Sequence, residues 1–278
     1  MRLHWTAIRS SAAEGYAEYR KNSLVLASFS PAFGCILLSV RFLVLLLLLG
    51  LSGCASLYFP PPPQVPLLTQ QGEFSGGVHT NFSGNTSLQG AYAVTNGLGV
   101  MGSASFLHSN KPKKAENFDF FEAGAGYFTR LPDQRVLEIY GGYGLGASDR
   151  TERTREGVVQ QRQEGNLNKL FLQVNYSAKK HQTLHLFGND FPLSYGTALR
   201  LSHVELSNFK LDGVAAPGED NIFLEPITFT RVQVLGPVQL QLISGGNFGL
   251  KHRKYLRAAN SVFQLGVVVN LGGQEGRR

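Results

Sequence analysis

The sequence predicts an all-β protein: an antiparallel up-and-down β-barrel of about ten strands that follows a signal peptide and a proline-rich tether. Three observations predict it. Beyond residue 72 the apolar residues recur with a period of two, the mark of strands with one apolar face. The connections between those runs sort by parity, tight on one side of the fold and long and polar on the other. Charged residues make up 16% of the chain, against roughly 25% in soluble domains, while Gly numbers 32 and aromatics reach 11%.

The elements follow in order. Arg41 precedes an unbroken apolar run, 42–49, and then Gly50-Leu51-Ser52-Gly53-Cys54. A charged residue, an apolar stretch and a small-residue cleavage site make a secretory signal, and the apolar run falls short of the about 20 residues of a membrane-spanning helix. Leu51-Ser52-Gly53-Cys54 resembles the bacterial lipobox, which implies that Cys54 is acylated and becomes the first mature residue. Residues 1–40 exceed an ordinary n-region, so true initiation is expected nearer 24–39. The predicted organisation is a leader at 1–53, lipid attachment and tether at 54–71, the barrel at 72–273 and a flexible tail at 274–278. Within the tether, Pro60-Pro61-Pro62-Pro63 predicts a semi-rigid polyproline II spacer without internal hydrogen bonds.

The predicted strands lie at 72–82, 87–95, 98–108, 118–129, 137–146, 171–177, 193–206, 221–234, 238–248 and 263–271. The clearest alternations set Leu170, Leu172, Val174 and Tyr176 against Gln173, Asn175 and Ser177, and Ile139, Tyr143 and Leu145 against Glu138, Tyr140 and Gly142. Tight turns are expected at Asn96-Gly97, at Pro132-Asp133 and at Gly236-Pro237. Long connections are expected at 109–117, 149–166, 207–220 and 250–260, all on the opposite side. The connection at 179–192 is the exception, long but on the tight side. Short inner turns, long outer loops and an even strand number describe a transmembrane barrel. Outward stripes with aromatics at both ends, exemplified by Phe118 and Tyr127 on one strand, belong to the same expectation.

The chain resembles the bacteroidete-type outer-membrane β-barrel lipoproteins through Cys54, Tyr58-Phe59-Pro60, Val65-Pro66-Leu67-Leu68, Gly72-Glu73, Ala91-Tyr92-Ala93 and Phe223-Leu224-Glu225-Pro226. The resemblance implies a lipid-anchored barrel of the Gram-negative outer membrane. The chain departs from the usual aromatic end of such barrels, running past Leu271 into Gly-Gly-Gln-Glu-Gly-Arg-Arg.

Charge and chemistry narrow the function classes. The formal net charge of +7 falls to +4 once the leader is set aside, too diffuse for nucleic acid. Cys35 belongs to the leader and Cys54 to the lipid site, so no disulfide, thiolate metal site or other cofactor is expected. Glu122, Glu138, Arg200 and Arg231 sit inside strand patterns on the predicted lumen face. A charge facing lipid at mid-depth costs about 2–4 kcal/mol for Arg or Lys, so they are expected to form a structural lumen network, with an ion path as the alternative. Glycines at alternate positions in Gly142-Tyr143-Gly144-Leu145-Gly146 lack a strand-to-helix context for a nucleotide loop; they are expected either to leave room in a crowded interior or to seat an aromatic ring from the neighbouring strand. His203 and Glu205 share one strand face without building a catalytic triad. Two basic clusters, Lys111, Lys113 and Lys114 and then Lys251, Arg253 and Lys254, fall in predicted outer loops as contacts for outer-leaflet lipid phosphates. The expected protein is a non-catalytic, outer-membrane-anchored lipoprotein with a structural or surface-interaction role and membrane lipid as its partner, its oligomeric state open. The alternatives are a periplasm-facing soluble barrel lipoprotein for a small apolar ligand and a lipid-modifying barrel enzyme.

Overall fold

The computed structural model describes residues 56–186, 188–257 and 261–272, all within the unit Gly50–Arg278. The leader, Cys54 and the tail at 274–278 lie outside the described residues. Among the described residues the regular structure is all strand: β1 Phe74–Thr80, β2 Thr86–Ala93, β3 Leu98–Lys111, β4 Lys114–Leu131, β5 Arg135–Arg153, β6 Val159–Leu186, β7 Asn189–Leu211, β8 Val214–Ala215, β9 Glu219–Leu235, β10 Val238–Gly246, β11 Phe248–Gly249 and β12 Ser261–Leu271. β8 and β11 are two-residue extensions, which leaves ten long strands. All pairings are antiparallel, β1 pairs with β12, and β7 pairs with β9, so the sheet closes on itself. Closure removes the free edges of the barrel wall.

Register shows why the period-two pattern matters. One cross-strand line runs Leu224, Leu201, Leu172, Gly141, Ala125, Val100, Tyr92, Phe74, Leu271. Every member is apolar or small, and every one faces outward. The neighbouring line runs Glu225, Arg200, Gln173, Tyr140, Gly126, Gly99, Ala93 and faces the lumen. A one-residue slip would exchange these two sets, which fixes the register throughout. On β5 the outward apolar positions run from 137 to 147, bounded by Arg135 and Asp149. At about 3.3 Å per residue and a tilt of about 40° this is a band roughly 25 Å tall.

The strands are longer than the alternation predicts. β5, β6 and β7 extend through most of the expected loops at 149–166 and 207–220, and β6 and β7 carry the exceptional connection at 179–192 as a projecting hairpin whose last described pair is Leu186 with Asn189. At 161–166 backbone pairing continues with polar side chains and glycine, where hydrophobic periodicity gives no sign of it, whereas the projecting hairpin also carries Leu184, Leu186 and Phe191. A register shift between Ala178 and Gln182 marks where that hairpin leaves the barrel wall. Asn96-Gly97 closes a four-residue connection, and Gly97 is needed because a Cβ there would lie 2.8 Å from the Tyr127 ring. Phe118 corrects the expectation of two outward aromatics: Tyr127 is exposed, but Phe118 is fully buried in the lumen. Nine residues separate them, and an odd spacing on a strand places them on opposite faces.

The inward glycines of β5 do seat rings. A Cβ on Gly142 would lie 2.4 Å from Phe171 Cζ, and on Gly144 or Gly146 it would strike the Phe120 ring at 2.7 or 2.5 Å. Gly141, one residue away and outward, meets nothing nearer than 3.8 Å. Gly142→Val is therefore expected to destabilise the barrel by about 1–3 kcal/mol through overpacking, whereas Gly141→Val stays close to wild type. Urea unfolding in detergent, followed by heat-modifiable gel mobility, separates the two.

Candidate functional site: a lumen threaded by the chain itself

The predicted tether is not a solvated spacer. Residues 56–68 run through the barrel lumen and are buried apart from a half-buried Phe59. The physical reason is compositional. Leu57, Tyr58, Val65, Leu67 and Leu68 surround the proline run with apolar surface, and each is at most 1% exposed. Burial contributes about 1.5–3 kcal/mol for each of the four aliphatic side chains, and the prolines lower the conformational entropy lost on ordering. The three apolar clusters of the lumen each contain residues of this segment. Leu57 and Tyr58 sit among Phe118, Phe120 and Phe223, Val65 and Leu67 among Ile227, Phe229 and Ile243, and Leu68 among Phe128, Tyr140 and Phe171.

Prolines also decide the polar chemistry. Pro60, Pro61, Pro62, Pro63 and Pro66 have carbonyls but no N–H, so the segment offers mostly acceptors and the wall answers with donors. Arg200 donates to the Pro61 carbonyl, Gln89 to Pro62 at 3.0 Å, and Gln173 and Asn175 to Gln64 at 2.6 and 3.3 Å. Further along, Arg231 donates to the Val65 carbonyl and Lys179 to that of Leu67 at 2.9 Å. Past the prolines the wall presents an acceptor for backbone N–H groups. There Glu138 takes the N–H groups of Leu67 and Leu68 at 3.4 and 3.1 Å, along with Tyr140 Oη and Asn175 Nδ2, both at 3.1 Å. Leu67 has φ 59°, a left-handed conformation where the segment bends, and the paired carboxylate contacts hold that bend.

The four predicted lumen charges divide into two sites. Glu122 and Arg200 meet at 3.1 Å in a network completed by Lys169, 2.6 Å from Glu122 and 3.7 Å from Glu225, with Arg200 also gripping Glu225. Two cations and two anions make it neutral, with side-chain exposures of 0–6%. Tyr58 donates its hydroxyl to Glu225 at 3.1 Å, and Lys169 lies 5.6 Å from the Tyr58 ring centroid, tying the segment to the network. Glu138 and Arg231 stand apart, each spent on the segment and on polar neighbours; Arg231 donates to Gln241 at 2.7 Å. Sequence reasoning missed Lys169 and Glu225. Both obey the alternation of their strands, and inward parity at 169 was the available signal, whereas Glu225 was obscured by the adjacent Pro226.

At the long-loop mouth, residues 250–257 fold over the opening. Glu219 accepts the N–H groups of Lys254, Tyr255 and Leu256 at 2.9–3.0 Å, Tyr255 packs on Phe209 with centroids 4.6 Å apart, and Leu256 is fully buried. Lys251 and Arg253 pair with Asp220, which Lys251 and then His203 hold well below the usual carboxylate range. These two predicted phosphate-contacting cations are thus engaged within the protein. Lys254 lies over the Tyr255 ring, Lys114 pairs with Glu116 at 2.6 Å, Lys111 ends β3 and Lys113 lies in the β3–β4 turn. His203 and Glu205 lie on the outer surface, with His203 3.3 Å from Asp220. The tight-turn mouth opens into a vestibule of about 1120 Å³ lined by Thr69, Glu73, Arg130 and Lys179 among others. Among the described residues no group of His, Cys, Asp and Glu is arranged to hold a metal.

No protein-family model matches the chain, and no curated protein matches it. Among solved structures it is similar to the translocator domain of the autotransporter NalP from Neisseria meningitidis, at 12% identity and a TM-score of 0.41, covering 72% of this chain and 86% of that one. A second similarity is to the FpvAI–pyocin S2 complex, at 9% identity and a TM-score of 0.22, over 77% of this chain and 42% of that one.

The charge network makes a sharp expectation. Arg200→Met leaves two buried carboxylates with one lysine and is expected to cost about 3–5 kcal/mol, while Arg200→Met with Glu225→Gln, which removes a cation and an anion together, recovers most of that loss. Unfolding midpoints of the two variants in detergent test it; equal losses would show that the pair is not coupled.

Proposed function

We propose that this protein is a membrane-embedded barrel of the outer membrane, sealed by its own N-terminal segment, with a structural or surface-interaction role and no catalysis. The observation that carries this reading is the combination of a closed barrel, an outward apolar band and a lumen already filled. Leu145, Leu170 and Leu172 are 54%, 63% and 57% exposed on that band, which continues around the wall through matched registers. An apolar surface of that extent needs a lipid or protein cover, and a band of roughly 25 Å suits the hydrocarbon layer. Membrane lipid is the partner on this reading. The lipoprotein assignment and the kinship with bacteroidete-type barrels rest on the lipobox-like Leu51-Ser52-Gly53-Cys54 and the short motifs of the mature chain. Against the alternative of a soluble carrier for an apolar ligand stands the filled lumen, whose apolar clusters are occupied by Leu57, Val65, Leu67 and Leu68. Against the enzyme alternative stands the placement of His203 and Glu205 on the outer wall, away from the lumen network.

Conductance tests the sealed lumen. The full barrel in a planar bilayer is expected to be electrically silent, and deletion of residues 57–66 to produce stepwise openings. Steady conductance from the intact protein would sink the reading. Silence from a deletion variant that is still heat-modifiable would show that the strand side chains alone close the lumen.

A further inference from the structure

The threaded segment has a direction, and that direction assigns a side to the chain that precedes it. Ser56 and Leu57 lie at the long-loop mouth. There Ser56 Oγ donates to the Arg257 carbonyl at 3.3 Å, the Leu57 N–H donates to the Tyr255 carbonyl at 3.2 Å, and Arg150 reaches the Ser56 carbonyl at 3.5 Å. Thr69 lies at the tight-turn mouth, where Arg130 donates to its carbonyl at 2.7 Å and Glu73 accepts its N–H at 2.7 Å. From one mouth to the other are fourteen residues, 56–69, which at about 3.1 Å per residue reach about 40 Å, enough to cross a hydrocarbon core of about 30 Å. β1 then starts at the tight-turn end, where Phe74 pairs with Leu271 near the end of β12. The polypeptide therefore crosses the barrel axis once before its first strand.

We infer that the N-terminal attachment point lies on the long-loop side, so that lipid on Cys54 inserts into the leaflet facing those loops and not the leaflet facing the tight turns. This rests on the outer-membrane lipoprotein reading above, and with short turns facing inward the leaflet is the outer one. Counting the tether as periplasmic gives the opposite leaflet, because a solvated 54–71 would reach β1 from the tight-turn side. Threading reverses that assignment without changing the strand orientation. Only Ala55 separates Cys54 from Ser56, and two residue steps span at most about 7 Å, too little to return to the other mouth. The ligand at this end is a lipid leaflet, met by acyl chains and by Lys254, which sits on the loop that covers the mouth.

The test is labelling of single substitutions on intact cells with a membrane-impermeant maleimide: Ala55→Cys beside the anchor, Glu156→Cys in the β5–β6 loop and Gln134→Cys in the β4–β5 turn. Heat-modifiable mobility reports that each barrel has folded. Metabolic palmitate labelling of wild type and Cys54→Ser reports the anchor separately. The expected result is label on 55 and 156, none on 134 until lysis, and palmitate lost in Cys54→Ser. Label on 156 with 55 protected until lysis would overturn the inference while leaving the spanning barrel standing. Label on 134 and not on 156 would overturn the assignment to the outer leaflet. No label at any site before lysis would remove the spanning reading and the inference with it. Absence of palmitate from wild type would remove the anchor, whatever the maleimide pattern.

Discussion

Five prolines in a short buried segment create a one-sided hydrogen-bonding demand, and the interior of the barrel is arranged around it. A proline carbonyl accepts but its nitrogen cannot donate, so neither a helix nor a strand partner satisfies 60–66. Unpaired buried carbonyls are costly. The wall supplies separate donors from separate strands: Gln89 from β2, Gln173 and Asn175 from β6, Arg200 from β7 and Arg231 from β9. Because the donors come from four different strands, the segment can be satisfied only in the closed barrel. The wall in turn would face its own unpaired donors without the segment.

The charges of the lumen follow from the same arrangement. Arg200 serves two masters, the Pro61 carbonyl and the carboxylates of Glu122 and Glu225. Placing an arginine there for its hydrogen bonds leaves a full positive charge in a dry interior, and Glu225 stands directly opposite it across the β7–β9 pairing. Glu122 and Lys169 then close a neutral group of four. The aromatic shell of Tyr58, Phe120 and Phe171 around Lys169 adds ring faces to the cation's environment. A lumen built this way is closely paired at its centre, and among the described residues it opens into a vestibule at the tight-turn mouth.

The outside of the barrel obeys the opposite rule. Its apolar band has no internal partner, and its members pair side by side across strands. Val78 stands beside Val267, and Tyr127 between Leu98 and Ile139. The band stops where His203, Glu205 and Asp149 begin on one side and Arg135 on the other. Beyond it the strands of the β5–β7 region run on, so the barrel is taller on that side than at β1, β2 and β10.

The sequence by itself determined the strand class, the number of long strands, the two faces of the clearest strands such as β5 and the second half of β6, and the inward glycines of β5. These are local properties, carried by alternation at i and i+2 and by turn residues such as Pro132-Asp133 and Gly236-Pro237. It misplaced Phe118 on β4. It did not reveal the length of β6 and β7, because backbone pairing continues through polar residues that carry no periodic signal. Nor did it reveal the partner of Arg200, since the register of β7 against β9 is a non-local choice and Pro226 obscured the strand that carries Glu225. The fate of residues 56–68 was decided by tertiary structure alone. A proline run flanked by apolar residues reads the same whether solvated or buried. Only donors spread over β2, β6, β7 and β9, brought onto one axis when the barrel closes, select the lumen over solvent.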